Sequence, residues 1–310
     1  MMAAHATCPD EANPDRHCRR KLPSTVGEPG GSKVKGMQFG LDVSQHQLSW
    51  QEISARVRYA EQTGFEGAWL FDHFTPLYGD PKGPCLEGWT LLAALAAQTT
   101  TIRLGTLVTG ITHRHPSVLA AEMVTIDHVS GGRLECGVGA AWNEGEHRSL
   151  GVPFPSVGER MESLEEAIQV FRLLWSGDKV SFEGKHHRLD QARYRPIPVQ
   201  RPHPPVWIGA NGRRLALPLV GRQADVWHGW GSNYEEKWAV VAASAEQAGR
   251  DPDTIVRSSS LSLSEPWDEV RRNFAQHVSN GVFYLIVEWP SEGKARLEEF
   301  VERVLPDLRG

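Results

Sequence analysis

The chain predicts an α/β fold, a (β/α)8 TIM barrel, and three observations carry that expectation. From Met37 onward, eight short apolar runs alternate with stretches of helical period. A helix follows each strand, which is the count of a closed barrel. A doubly wound open sheet comes second, because QHQLSW (45–50) stands where a GxGxxG turn would follow the first strand.

The strand candidates are MQFGLDV (37–43), FEGAWLF (65–71), IRLGTLVT (102–109), RLECGVGAA (133–141), PVWIGA (205–210), ADVWHGW (224–230), TIVRSSSLSL (254–263) and GVFYLIVEW (281–289). Each is a short apolar or β-branched run between turn residues, as buried parallel strands are. Helical periods occupy 50–64, 87–99, 116–132, 160–177, 213–221, 233–249 and 267–281, and a last one at 293–305 closes the chain. Pro116 suits a first helical turn, where its missing N–H costs nothing. Gly64, Gly131 and Gly177 stand where helices should stop. Residues 179–205 interrupt the alternation with a small hairpin and a Pro-rich run, which prolines at 196, 198, 202, 204 and 205 keep extended. Pro218 is expected to break or kink the short helix after the fifth strand.

At 310 residues and 40% hydrophobic, the chain can bury a large core. A net charge of −5 leaves no footprint for nucleic acid or an anionic membrane surface. The apolar runs, such as VFYLIV (282–287), fall far short of the ~20 residues that span a bilayer. The expectation is a soluble cytoplasmic protein. Cys8, Cys18, Cys85 and Cys136 form no CxxC pair, so neither a zinc site nor a disulfide framework is indicated. Residues 1–36 are polar and aperiodic, which predicts a disordered extension before a domain spanning 37–310. No apolar segment follows Arg19 and Arg20, which excludes a twin-arginine export signal. His5, Cys8, His17 and Cys18 are too loosely spaced to indicate a metal site.

AWLFDHF (68–74) ends an apolar strand with Asp72 beside His73. Strand C-termini face the active-site mouth of a barrel, so this pair is a candidate site. A helix cap next to a solvated histidine is the competing assignment. WIGANG (207–212) is a strand followed by small residues, a loop that lets backbone N–H groups approach an anion. An ordinary βα turn is its alternative. Small residues at Ala140 and Ala141 allow either close approach of a ligand or tight packing. His113, Arg114 and His115 are expected on a solvated loop, and Glu144, Glu146 and His147 lack the spacing and helix of a zinc site. Phe71, Phe74, Trp142, Trp227 and Trp230 suit an apolar cavity or the core.

Together FDHF (71–74), LGTLVTGITHRHP (104–116), LAAEMVTIDHVSGGRLECGVG (119–139), GVGAAWNEGEH (137–147) and WIGANGRRLALPLVGRQADVW (207–227) resemble the bacterial luciferase-like monooxygenase superfamily. The likeness is to its branch that uses the deazaflavin coenzyme F420, and it spans roughly residues 37–290. The resemblance implies a flavin or deazaflavin in the barrel mouth. It places Gly209, Ala210, Asn211 and Gly212 in the phosphate loop, and Leu107 and Val108 at a bulge against the cofactor ring. It sets Ala140 close to that ring, Asn143 near the cofactor tail or ribityl chain, and Asp72 on its polar edge. His73 takes the place of an acid/base imidazole, a task suited to a group that titrates near neutrality. The short GVGAAWNE loop departs from the sugar-phosphate dehydrogenases of the family, which carry a glutamate on a longer loop. The implied activity is F420-dependent hydride transfer to or from a small organic substrate, in a homodimer. The alternative is an FMN-dependent monooxygenase that uses reduced flavin and oxygen.

Overall fold

The computed structural model describes residues 36–309. The expectations for residues 1–35, including their His and Cys, lie outside the described residues. Eight parallel strand positions close on themselves. They are β1 (Gln38–Asp42), β2 (Gly67–Leu70), β3 (Arg103–Thr106) continued by β4 (Thr109–Gly110), β5 (Leu134–Gly139), β8 (Val206–Gly209), β9 (Val226–His228), β10 (Val256–Leu261) and β11 (Tyr284–Val287). β1 pairs with both β2 and β11, and Leu104 opposite Leu134 joins β3 to β5. The barrel is therefore closed and has no open edge. The apolar run read as the third strand is broken at Leu107–Val108, where the resemblance puts a bulge: that peptide is cis, and pairing with β5 resumes at Thr109.

Helices α1 (Trp50–Gln62), α2 (Gly88–Gln98), α3 (Pro116–Ser130), α5 (Val157–Trp175), α6 (Ala216–Gln223), α7 (Tyr234–Gln247) and α8 (Trp267–Ser279) follow the strands in turn. Their ends follow local chemistry. Ser49 caps α1 and Ser156 forms a capping box with Glu159 on α5, satisfying N–H groups that the helix leaves open. Gly131 ends α3 in the left-handed conformation. Pro218 does not break α6, because the helix begins only at Ala216 and the proline falls in its first turn. The hairpin pairs β6 (Val180–Glu183) with β7 (Arg188–Ala192), and the Pro-rich run beyond it has cis bonds before Pro196 and Pro202. The closing helix divides into α9 (Lys294–Glu299), a π-helical turn at Phe300–Val304, and α10 (Leu305–Arg309).

Alternation along the strands sorts side chains into two cores. Phe39, Leu41 and Leu285 face outward into the helix layer, each burial contributing about 1.5–3 kcal/mol. Trp69, Trp207, Val226, Tyr284 and Ile286 fill the lumen. Space for those rings comes from Gly40 and Gly105. A Cβ on Gly40 would lie 2.5 Å from Trp69 Nε1, and one on Gly105 would lie 2.6 Å from the same indole. The Trp69 and Trp207 ring centroids are 4.3 Å apart, with Tyr284 set edge-on to both. Below these rings Glu135 accepts from Trp207 Nε1 at 2.6 Å and pairs with Arg103, closing the base of the barrel. Above them the lumen opens.

Candidate active site

The opening is a cavity of about 1460 Å³ at the C-terminal ends of the strands. It is larger than most small-ligand pockets, so it has room for a tricyclic cofactor and a substrate. Asp72, His73, Leu107, Val108, Ala140, Asn143, Gly209, Ala210, Asn211 and Gly212 all contribute to its wall. The chain thus brings every sequence-predicted site residue to one space.

His73 follows β2 and is held from below. Its Nδ1 lies 2.8 Å from Glu146 Oε2, and the other carboxylate oxygen accepts from the backbone N–H groups of Phe74 (2.8 Å) and Thr75 (3.0 Å). Burial opposes ionisation of Glu146, yet the bonds from His73, Phe74 and Thr75 outweigh it and hold the carboxyl at about 2. An ionised carboxylate only accepts, so the neutral imidazole carries its proton on Nδ1 and presents a lone pair at Nε2. Glu146 lies on α4 (Glu144–Leu150), a helix that the sequence reading leaves out. Asn143 caps α4, its Oδ1 taking the Glu146 N–H at 3.1 Å, and its carbonyl accepts from His147. The pattern Asn-x-x-Glu is itself a helix-start signal that could have found both.

Asp72 lies differently. Its side chain has 0% exposure, and it accepts from Arg114 through both oxygens at 2.7 and 3.1 Å. His113 Nδ1 stands 3.5 Å from Oδ2. Burial of Asp72 raises its pKa, but the hydrogen bonds from His113 and Arg114 win and leave it below the usual carboxylate range. His113 and Arg114 therefore do not lie on a solvated loop: a buried carboxylate draws them inward. Arg114 also pairs with Glu87. The resemblance sets Asp72 on the cofactor's polar edge, whereas both of its oxygens here serve the loop that leads into α3.

The opposite wall is built of small residues. A Cβ on Gly139 would meet Val108 Cγ2 at 2.7 Å, and one on Gly209 would meet Val108 Cγ1 at 3.2 Å. Val108 is thus seated between two glycines, which leaves a smooth apolar shelf with Leu107 and Ala140 beside it. After β8 the chain runs through Ala210, Asn211 and Gly212 to α6. Ala210 N–H bonds to His228 O, and Asn211 Oδ1 accepts from Trp230 N–H at 3.3 Å. Arg213 pairs with Glu236 at the surface and is absent from the cavity wall. Ala141 has a φ of 60°, a conformation uncommon outside glycine. Beyond it Trp142 stands 67% exposed with its ring edge-on to His73 at 5.8 Å. Phe71 and Trp230 also reach the cavity, whereas Trp227 is packed against Tyr234 and Trp238 in the outer core.

Three further groups in the wall escape the sequence reading. Asp42 ends β1, and its Oδ1 is buried with no partner among the described residues. Burial and the neighbouring Glu288 raise its pKa to about 7, against smaller opposing effects of Ser44 and Arg56. Burial and then His73 lower His46 to about 4. His228, bonded to Ser258 at 3.0 Å, is likewise pushed down to about 4 by burial and by His277.

The luciferase-like monooxygenase family model matches residues 36–303. The chain belongs to the luciferase-like monooxygenase family. Among curated relatives of this luciferase-like chain, an F420-dependent hydroxymycolic acid dehydrogenase of Mycobacterium tuberculosis is 31% identical over 245 residues. That match covers 78% of this chain and 65% of the relative. An FMNH2-dependent dimethylsulfone monooxygenase of Pseudomonas putida is 31% identical over 207 residues, covering 65% and 56%. The chain therefore spans less than two thirds of the length of either relative. Among solved structures, an F420-dependent secondary alcohol dehydrogenase in complex with an F420–acetone adduct superposes with a TM-score of 0.80. It covers 89% of the luciferase-like chain and 100% of its own at 20% identity, which shows the barrel fold. No helix among the described residues is long and apolar enough to cross a membrane.

Proposed function

We propose that the protein is an F420-dependent oxidoreductase that moves a hydride between the deazaflavin and a small organic substrate. One observation carries this: a single cavity joins a small-residue shelf to a histidine whose far nitrogen a buried glutamate makes an acceptor. The shelf of Leu107, Val108, Gly139, Ala140 and Gly209 suits one face of a planar ring. The Gly209–Gly212 loop, leading to the start of α6, would hold a phosphate. A bound deazaflavin supplies the hydride donor or acceptor. His73 takes or returns the proton that accompanies the transfer, and Glu146 fixes the ring and balances the charge it gains. Trp142, edge-on to the His73 ring at 5.8 Å, stands beside it at the mouth. Asp72 acts through Arg114 and His113 by fixing the adjoining loop.

The second reading is an FMN-dependent monooxygenase on the same site, supported by the Pseudomonas putida relative. Titration of the whole chain with F420 and with FMN, each followed by its absorbance, separates the two. Micromolar binding of F420 with FMN at least tenfold weaker supports the first reading, and the reverse order overturns it. Sedimentation of the same preparation tests the homodimer that the resemblance implies.

A further inference from the structure

The two most exposed large apolar side chains among the described residues are Tyr78, at 68%, and Trp142, at 67%. Both stand at the wall of the same cavity. Tyr78 follows β2 and Trp142 follows β5, so different loops bring the two rings to one opening. Both loops are pinned. Gln47 Nε2 donates to the Tyr78 carbonyl at 2.9 Å and to the Asp80 carbonyl at 2.7 Å. Gly83 lies so close to that amide that a Cβ on it would overlap Gln47 Oε1. The Trp142 carbonyl accepts from Glu144 N–H at 3.1 Å, and Asn143 beside it caps α4. Rings so exposed stabilise the free fold little, and apolar surface rimming a cavity marks a ligand site.

A row of rings joins the two. The Tyr78 centroid lies 5.8 Å from that of His46, His46 lies 6.4 Å from His73, and His73 lies 5.8 Å from Trp142. Phe71 backs the row, 5.2 Å from His46. Two imidazoles therefore separate the rim rings, and a three-carbon alcohol seated at His73 is too short to touch both. Charge sets a second limit. Among the described residues Arg56 is the one lysine or arginine of the wall, stacked over Trp289 at 3.8 Å and bonded to Glu52 at 3.0 Å. Asp42 and Glu288 stand in the same wall, so an anionic substrate meets acids and no uncommitted cation. From this row we infer that Tyr78 and Trp142 set specificity. They grip the body of a bulky, ring-bearing alcohol or its ketone that carries no anionic group, with the reacting oxygen at His73. Flat rings meet aromatic faces and edges with a gain that aliphatic chains lack. The inference rests on the proposed function and narrows its small organic substrate to this class. The alcohol and the ketone differ by the hydride and the proton of the proposed transfer.

Calorimetric titration of the whole chain tests this with 1-(2-naphthyl)ethanol as the probe. Propan-2-ol serves as its small counterpart and 2-naphthoate as its anionic one. The naphthyl alcohol should bind about a hundredfold more tightly than propan-2-ol, because it alone carries a large apolar body. 2-Naphthoate should bind about tenfold more weakly than the naphthyl alcohol. Trp142→Ala and Tyr78→Ala should each weaken the naphthyl alcohol about tenfold, whereas Trp142→Phe and Tyr78→Phe, which keep a ring, should stay within about threefold. Propan-2-ol or 2-naphthoate binding as tightly as the naphthyl alcohol would overturn the inference. So would alanine variants that bind like the parent, or equal losses in the alanine and phenylalanine variants. NMR of the parent needs no variant, so it decides even where an alanine variant fails to fold. Nuclear Overhauser contacts from the naphthyl protons to the Tyr78 and Trp142 rings are expected. Contacts confined to Leu107 and Val108 would place the probe on the shelf and sink the assignment. None of these measurements requires a cofactor. Failure of F420 to bind would end the cofactor reading and leave them untouched, so the two failures are told apart.

Discussion

His73 Nδ1 and Glu146 Oε2 lie 2.8 Å apart, although 73 residues of chain separate them. The pair ties the end of β2 to the first turn of α4 and makes the imidazole directional. If that direction matters, Glu146→Gln should cut turnover by about tenfold or more, because the amide no longer holds the tautomer or balances the imidazolium. F420 affinity should change much less. His73→Ala should lower turnover by roughly 10²-fold, and the double variant should be little worse than the single. Single-turnover kinetics beside cofactor titration check this; additive losses would separate the two residues.

Glu146 also sets an acid limit. Its folded pKa of about 2 lies below its ordinary value of 4.5, so the folded state binds the proton more weakly than the unfolded chain does. Its contribution to stability is fully present above about pH 4.5 and is lost as the pH falls toward 2. Urea unfolding between about pH 6 and pH 3 should show stability falling less steeply in Glu146→Gln than in the parent.

Asp42 has the opposite sign. Its folded pKa near 7 exceeds its ordinary 3.8, so the fold prefers the protonated acid and loses stability as the pH rises between those values. Asp42→Asn, which cannot ionise, should therefore be more stable than the parent at about pH 8, by ~1–2 kcal/mol after allowing for partial exposure. The gain should vanish near pH 4. Thermal melts at the two pH values check it, and a loss at pH 8 would refute the assignment.

Asp72→Ala should act first on stability. It leaves the Arg114 guanidinium without its buried bidentate partner, a change that costs ~3 kcal/mol or more. Chemical denaturation would show this. A stable variant that merely binds F420 more weakly would restore Asp72 to the cofactor's edge.

Gly212→Asp tests the loop before α6. A Cβ there meets only Ala216 Cβ, at 3.6 Å, so the variant should fold. Its carboxylate should repel a phosphate and lower F420 affinity at least tenfold, ~1.4 kcal/mol. Unchanged affinity would locate the phosphate elsewhere.

The barrel was legible because each strand is a compact apolar run, and the alternation of runs and helices alone fixes the count. The break at Leu107–Val108 was not legible from the residues alone, since neither is the glycine or proline that usually marks an irregularity; only the family resemblance puts a bulge there. Asp72 and His73 could be placed at the mouth from strand polarity. Their partners could not: Glu146 lies 73 residues from His73, and Arg114 lies 42 from Asp72. Local pattern assigns charged residues to solvent, and only the closed barrel reveals the buried carboxylate that draws Arg114 inward. His46 stayed silent because a lone histidine in a polar loop has no periodicity to betray it.

The interlocked rings of Trp69, Trp207 and Tyr284 act as a bulkhead across the lumen. Beneath it, the Arg103–Glu135 pair holds the strands together; above it, His46, His73 and Asp42 meet the cavity. Among the described residues the two compartments have no hydrogen-bonded side chain in common, so substitutions in one should combine independently with substitutions in the other. The mouth can then be relined for a different substrate while the keel of the barrel stays intact.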